Sequence, residues 1–171
     1  MLMPERLESH LDQNHVAYSL ILHRPTYSAQ VSASVMHVPG KEVAKTVALC
    51  AGKKALLAVL PASYRINFEK LSAIVGEKAM LMEEQKCSDL FPDCEVGAVP
   101  PFGELYDVPV YMDQTLADDP EIVFGAGTLS ESLRIGNVDF VRLVRPKICS
   151  FAEEAWSISK PRRAQAQGAH T

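Results

Sequence analysis

Residues 45–60 constrain this chain more than any other stretch. Two apolar runs, Lys45 to Cys50 (K-T-V-A-L-C) and Ala55 to Leu60 (A-L-L-A-V-L), flank Ala51-Gly52-Lys53-Lys54. Short apolar runs on either side of a glycine turn predict a β-hairpin, and Pro61 ends its second strand. Such a hairpin has to be covered. The chain has 171 residues, close to one domain's worth, and a domain of this size buries roughly 70% of its extended surface.

Around the hairpin the pattern alternates loosely between helix and strand. Pro4 to Asn14 is a predicted helix with Leu7 and Leu11 on one face, and Tyr18–Leu22 a short strand. Ser28 to Met36 is a second helix, capped by Thr26 or Ser28. Residues 67–75 form a third, with Asn67 as cap, followed by a strand over 79–82 and a helix over 83–90. Residues 91–103 hold three prolines and two glycines, which predicts a loop of fixed geometry. Strands are expected over 108–112, 121–124 and 132–135, with Phe124-Gly125-Ala126-Gly127-Thr128 as a small-residue turn. Asn137 is expected to cap a last helix reaching Leu143. One domain over residues 1–151 followed by a tail over 152–171 is the expected organisation. The absence of regular βαβ spacing favours an α+β fold with a mixed, strongly bent sheet.

Composition excludes several classes. Apolar residues make up 47% and charged residues 22%, so a wholly disordered chain is excluded. No run of apolar residues is long enough for a membrane span, and the charged residues in 1–13 do not suit a signal peptide. The expected location is therefore the cytoplasm, with reduced thiols. Net charge is −4, but residues 1–86 carry 10 basic against 8 acidic side chains while 87–171 carry 7 against 13. A polyanion would thus meet the N-terminal half.

Chemistry-bearing patterns are sparse. Cys50, Cys87, Cys94 and Cys149 form no C-x-x-C pair, so no metal site is expected, and Cys50 and Cys149 lie in apolar segments that predict burial. No dinucleotide or phosphate-loop motif, H-E-x-x-H or G-x-S-x-G is present. His10 and His15 are expected at the surface, and His23 and His37 beside proline-containing turns, as surface or capping residues. Asp118, Asp119 and Glu121 read as a solvated acidic loop. Lys45 opens an apolar strand, where it either snorkels to the surface or points into a cleft.

Four segments together carry a resemblance. They are H-V-P-G-K-E-V-A-K-T-V-A-L (37–49), A-V-L-P-A-S-Y-R (58–65), F-P-D-C-E-V-G-A-V-P-P-F-G (91–103) and I-V-F-G-A-G-T (122–128). In order and spacing they resemble the YbaK/prolyl-tRNA synthetase-associated family of aminoacyl-tRNA editing domains, over about residues 5–148. The resemblance implies a bent mixed sheet, partly closed like a barrel, with helices outside. It implies an aminoacyl-tRNA deacylase acting in trans on a tRNA mischarged with a small amino acid, with no cofactor or metal. The implied partners are mischarged tRNA and an aminoacyl-tRNA synthetase.

The implied catalytic residues are Lys45, matching the A-K-T lysine, and Gly97. The implied substrate-binding residues are Thr46; Ala98, Pro100, Pro101 and Phe102 of the G-x-x-x-P loop; and Gly125, Gly127 and Thr128 of the closing turn. Val31, Ala44 and Met80 are candidate pocket walls. Lys41, Lys45, Lys53, Lys54 and Arg65 are candidates for a basic approach to the CCA end. Many relatives carry His after A-G-T, where this chain has Leu129. The implied route is substrate-assisted, with a terminal ribose hydroxyl helping to position water. Two other classes remain open: a binding module that retains the pocket without turnover, and a hydrolase of other activated esters.

Overall fold

A computed structural model describes residues 2–26, 28–36, 38 and 42–155. The elements run α1 (Glu5–Gln13), β1 (Tyr18–Leu22), α2 (Ala29–Met36), β2 (Ala44–Ala51), β3 (Lys54–Pro61), β4 (Tyr64–Ile66), α3 (Phe68–Val75), β5 (Ala79–Leu81) and α4 (Glu84–Leu90). A short 3₁₀ turn (Gly103–Tyr106) leads to β6 (Val110–Asp113), α5 (Gln114–Ala117), β7 (Glu121–Thr128), β8 (Glu131–Gly136), α6 (Asn137–Val144), β9 (Lys147–Cys149) and β10 (Ala152–Glu154).

The predicted hairpin is the centre of a five-stranded mixed sheet, ordered β5-β2-β3-β6-β9. β2 pairs antiparallel with β3 from Ala44 opposite Pro61 to Ala51 opposite Lys54, while β3–β6 and β6–β9 are parallel. Period-two alternation sends successive β3 residues to opposite faces, and both faces are covered. Leu57 and Val59 join a core built with Leu7, Leu11, Phe102, Phe124 and Phe140. Leu56, Ala58 and Leu60 join a second core with Leu49, Leu71 and Phe151. This two-sided burial explains why the run is apolar at nearly every position.

β1, β8 and β7 form a separate antiparallel sheet, and β10 pairs with β4 in a third. The bent sheet expected from the resemblance is therefore divided into three, and the described strands do not close into a barrel. A parallel bridge between Val43 and Val123 joins the hairpin to the three-stranded sheet at one end. That junction positions the candidate site.

Several local expectations are corrected. Gly125–Thr128 is not a turn: β7 runs through it, with a register shift between Gly125 and Thr128, and the chain reverses at Leu129-Ser130. Asn137 is not the cap of α6, which is Gly136; its side-chain amide instead donates to the carbonyls of Leu116 and Asp119. Of the two candidate caps for α2, Ser28 accepts the Val31 N–H. Asn67 caps α3 as expected, accepting the Lys70 N–H. Cys50 and Cys149 are half-buried, the latter on the edge strand β9, and Cys87 is the buried thiol. His10 is half-buried, edge-on to Phe102 and paired with Glu104.

Pairing continues through Ala152–Glu154, past the boundary expected at 151; residues 156–171 lie outside the described residues. The buried Asp113 carboxylate makes this end of the fold. One oxygen accepts the N–H groups of Phe151 and Ala152, both at 2.9 Å, and the other accepts the Thr115 N–H at 3.1 Å. Asp113→Ala strands three backbone donors, so the expected cost is about 3 kcal/mol. The urea midpoint of unfolding measures it.

Candidate active site

Where the hairpin meets the three-stranded sheet, a cavity of about 70 Å³ opens between β2, the start of α2, the 91–103 loop and the β7–β8 hairpin. Its lining includes Lys45, Thr46, Gly97, Ala98, Gly125 and Thr128 among the residues that the resemblance implied. Ala44 also lines it.

The remaining expected residues lie elsewhere. Phe102 is fully buried against Phe124 and Phe140, as a core ring. Pro100 and Pro101 are buried and outside the lining. Gly127 faces the back of the loop, where an added Cβ would sit 2.7 Å from Pro4 Cγ. Val31 and Met80 are exposed and outside the cavity. Lys54 pairs with Ala51 and Lys45 with Leu60, so Lys53-Lys54 sits at the opposite end of the hairpin from Lys45, roughly 20 Å along the strand. Lys41 and His37 lie outside the described residues.

Backbone bonds hold the rim. Gly127 N–H donates to the Ala98 carbonyl at 2.8 Å, and Glu95 N–H donates to the Gly127 carbonyl at 2.8 Å. The Glu95 carboxylate accepts the Leu129 N–H at 2.6 Å, which ties the hairpin tip to the loop. Gly127 and Gly97 both have positive φ, +95° and +87°, a region that side-chain-bearing residues rarely adopt. Gly125 is different: an added Cβ there meets only Ala98, at 3.6 Å.

The wall formed by the end of β1, the start of α2 and β8 was not legible in the sequence. It brings His23, Thr26, Ser28, Ser32 and Ser132 to the cavity. His23 N–H and Thr26 N–H donate to the Ser130 and Leu129 carbonyls, extending the β1–β8 pairing beyond the strands. The His23 ring bonds Arg24 O through Nδ1 at 2.8 Å and Ser132 Oγ through Nε2 at 2.9 Å. A carbonyl only accepts, so Nδ1 carries the proton in the neutral ring and Nε2 accepts from the Ser132 hydroxyl. The Thr26 hydroxyl bonds that of Ser32. The cavity thus holds an imidazole although Leu129 stands where many relatives carry His.

Lys45 supplies the charge. Its ammonium is half-buried, and among the described residues no carboxylate is ion-paired with it. Burial alone pushes its pKa below the usual lysine value. An unpaired, partly desolvated cation is costly and marks a place prepared for an anion or a polarised oxygen. Cys94 lies behind the rim, where burial raises its thiol to about 11, so no thiolate is available there at neutral pH. Among the described residues no three or more His, Cys, Asp or Glu side chains converge to hold a metal ion.

The fold and the site define a class: an α+β domain carrying a small, hydroxyl-lined cavity with one lysine, Lys45, among its lining residues. The profile of the aminoacyl-tRNA editing domain matches residues 23–143, and the chain belongs to that family. Two curated relatives, from Escherichia coli strain K12 and O157:H7, are each named multifunctional Ser/Thr-tRNA deacylase ProXp-y. Each is 27% identical over 101 residues, which is 58% of this chain and 60% of the relative's length. A solved structure described as a candidate trans-editing enzyme for prolyl-tRNA synthetase superposes with a TM-score of 0.77 at 22% identity, over 90% of this chain and 99% of that one. At that identity it shows the shared fold.

The glycines give a direct test of the rim. Gly127→Ala forces both a strained φ and a clash with Pro4, with an expected loss of about 2–4 kcal/mol. Gly125→Ala adds a methyl group to the cavity without strain. Stability is expected to hold within about 0.5 kcal/mol, with any activity on small substrates reduced at least tenfold. Thermal melts beside activity measurements separate the two.

Proposed function

We propose that this protein is an aminoacyl-tRNA deacylase acting in trans, hydrolysing the ester of a tRNA mischarged with a small amino acid. The observation that carries this reading is Lys45, half-buried and without an ion pair among the described residues, in the lining of a cavity of about 70 Å³. Family membership supports the reaction class, and the names of the E. coli relatives support the substrate class.

The physics suits so sparse a site. An aminoacyl ester is already activated, and a thousandfold acceleration needs only about 4 kcal/mol. Water attacks the carbonyl carbon, the bond to the ribose oxygen breaks, and that oxygen takes up a proton. Lys45 holds the ribose or terminal phosphate side of the ester, and the Gly97–Ala98 backbone approaches the carbonyl, with Gly97 holding a φ of +87° that side-chain-bearing residues rarely adopt. A neighbouring ribose hydroxyl helps to place the water. On the far wall, the Ser132–His23 pair and the Thr26–Ser32 pair offer hydrogen bonds to a cargo hydroxyl, consistent with the Ser/Thr specificity in the relatives' name. A synthetase distinguishes one methylene by only about 1–3 kcal/mol, which leaves such errors to be removed afterwards. The site of action is the cytoplasm, where tRNA is charged; a prolyl-tRNA synthetase is the partner that the structural neighbour's description suggests. Among the described residues no helix is long and apolar enough to cross a membrane.

The test is ester loss from tRNAs carrying labelled Ala, Ser, Thr, Cys or Pro. Hydrolysis of one or two is expected, reduced at least a hundredfold in Lys45→Met. Tight tRNA binding without ester loss across the panel identifies a binding module instead. Loss of small esters with indifference to tRNA identifies a different hydrolase.

Lys45→Met also has a stability signature. Because the folded pKa is lowered, the folded wild type binds fewer protons than the unfolded chain between that pKa and 10.5, so its stability rises with pH through this window. The methionine variant is expected to be as stable as the wild type or more so at pH 7, and to lack that rise. Urea unfolding at pH 7 and pH 10 checks both.

A further inference from the structure

The cavity accounts for the cargo and leaves the nucleoside unplaced. A cavity of roughly 150 Å³ takes a benzene ring, so one of about 70 Å³ takes a small side chain and excludes an adenosine. The two are joined by a short ester, so the nucleoside has to lie against the outer wall of the same cavity. Lys45 is part of that wall, and it also lines an open groove of about 580 Å³ formed with Val47, Arg65, Asn67, Phe68 and Leu81.

The groove has the chemistry of a nucleotide site. Phe68 and Leu81 are exposed apolar side chains in its lining, 37% and 67% accessible. Both line one groove, which places two apolar side chains beside Lys45 and Arg65. Phe68 opens α3, and Asn67 precedes it as cap, so the ring is held at a helix end. Arg65 lies on β4 and is fixed by two hydrogen bonds to Glu153, at 2.9 and 3.0 Å; Asn67 also donates to that carboxylate. Two cations to one carboxylate leave the groove net positive. An aromatic face, apolar walls and a held guanidinium are what an unpaired base with its phosphate requires.

We propose that this groove binds the unpaired 3′-terminal nucleosides of the tRNA, with a base against Phe68 and Leu81 and the backbone phosphate toward Arg65 and Lys45. The proposal rests on the deacylase reading for the identity of the cargo, and on the groove's own chemistry for the nucleic acid. The Glu153 carboxylate holds Arg65 in place and is available to a ribose hydroxyl.

Two arms test it with the full chain. In the first, an uncharged CCA trinucleotide is titrated and followed by NMR. Shifts centred on Phe68 and Leu81, with affinity lost at least tenfold in Leu81→Glu and in Phe68→Ala, are the expected result. No binding, or shifts elsewhere, overturns the proposal whether or not the protein is a deacylase. In the second, KM and kcat are measured on charged tRNA and on the matching amino acid ethyl ester. Leu81 is largely exposed, so Leu81→Glu is expected to keep its melting temperature, raise KM for tRNA at least tenfold, leave kcat within twofold and leave the ethyl ester unaffected. Equal loss on both substrates, or unchanged tRNA kinetics with loss of synthetase binding, overturns it. A wild type that binds the trinucleotide in the groove but hydrolyses neither substrate refutes the deacylase reading alone.

Discussion

The bond from Gly127 N–H to the Ala98 carbonyl, with its return from Glu95 N–H to the Gly127 carbonyl, is the constraint on which the site depends. It lays an irregular loop along the end of a strand, a contact that side chains would normally hold apart. The contact needs glycine at 127, because Pro4 occupies the space where a Cβ would be, and it needs the left-handed φ of +95°. Once made, it sets Gly97 and Ala98 opposite Lys45 and Thr46, and the space left between them is the cavity. Glu95 completes the arrangement by holding the Leu129 N–H. Loop and hairpin tip are then one body, and the cavity walls keep their spacing without any large side chain to prop them.

Much of this was legible from residue pattern, and the exceptions have physical reasons. The hairpin over 45–60 is written in its apolar runs, α1 in the Leu7–Leu11 spacing and α3 in the Asn67 cap. The strands β4, β9 and β10 have three residues each, too few to show alternation, and β10 exists because Asp113 reaches across to hold Phe151 and Ala152. Gly125-Ala126-Gly127 has the composition of a turn, but there the small residues serve close approach rather than chain reversal. Lys45, Gly97 and Gly125, which motif and resemblance named, line the cavity. The opposite wall was not named, since Ser132 and His23 are 109 residues apart and meet only through the β1–β8 pairing. No spacing rule announces such a pair. Phe102 shows the converse error: it lies in the motif, yet its ring packs the core, so a motif can include residues that hold the loop rather than meet the ligand.

Charge distribution carries the same lesson. A net charge of −4 is unpromising for a partner as anionic as tRNA, and the lysines most visible in the sequence, Lys53 and Lys54, lie at the wrong end of the hairpin. What matters is the charge within a Debye length, about 8 Å at physiological salt, of the reacting ester. Lys45 and Arg65 both line the groove, where Glu153 holds Arg65 in place. A domain that engages only the last unpaired nucleotides needs few phosphate contacts, and its global charge is then free to serve other ends.

Lys45 also shows why such a site has to be small. An ammonium held partly out of water without a counter-charge destabilises the folded chain, and the fold tolerates it because the hairpin that carries it is buried on both faces along most of its length. A wider cavity would admit more water and weaken the electrostatic contacts that the proposed ester would make there. A narrower one would exclude even the smallest cargo. Lys45 lines both the enclosed cavity and the open groove, so in the proposed deacylase one residue would border both halves of an aminoacyl-nucleoside. On that reading the enclosed side would measure the amino acid's size rather than the nucleotide's.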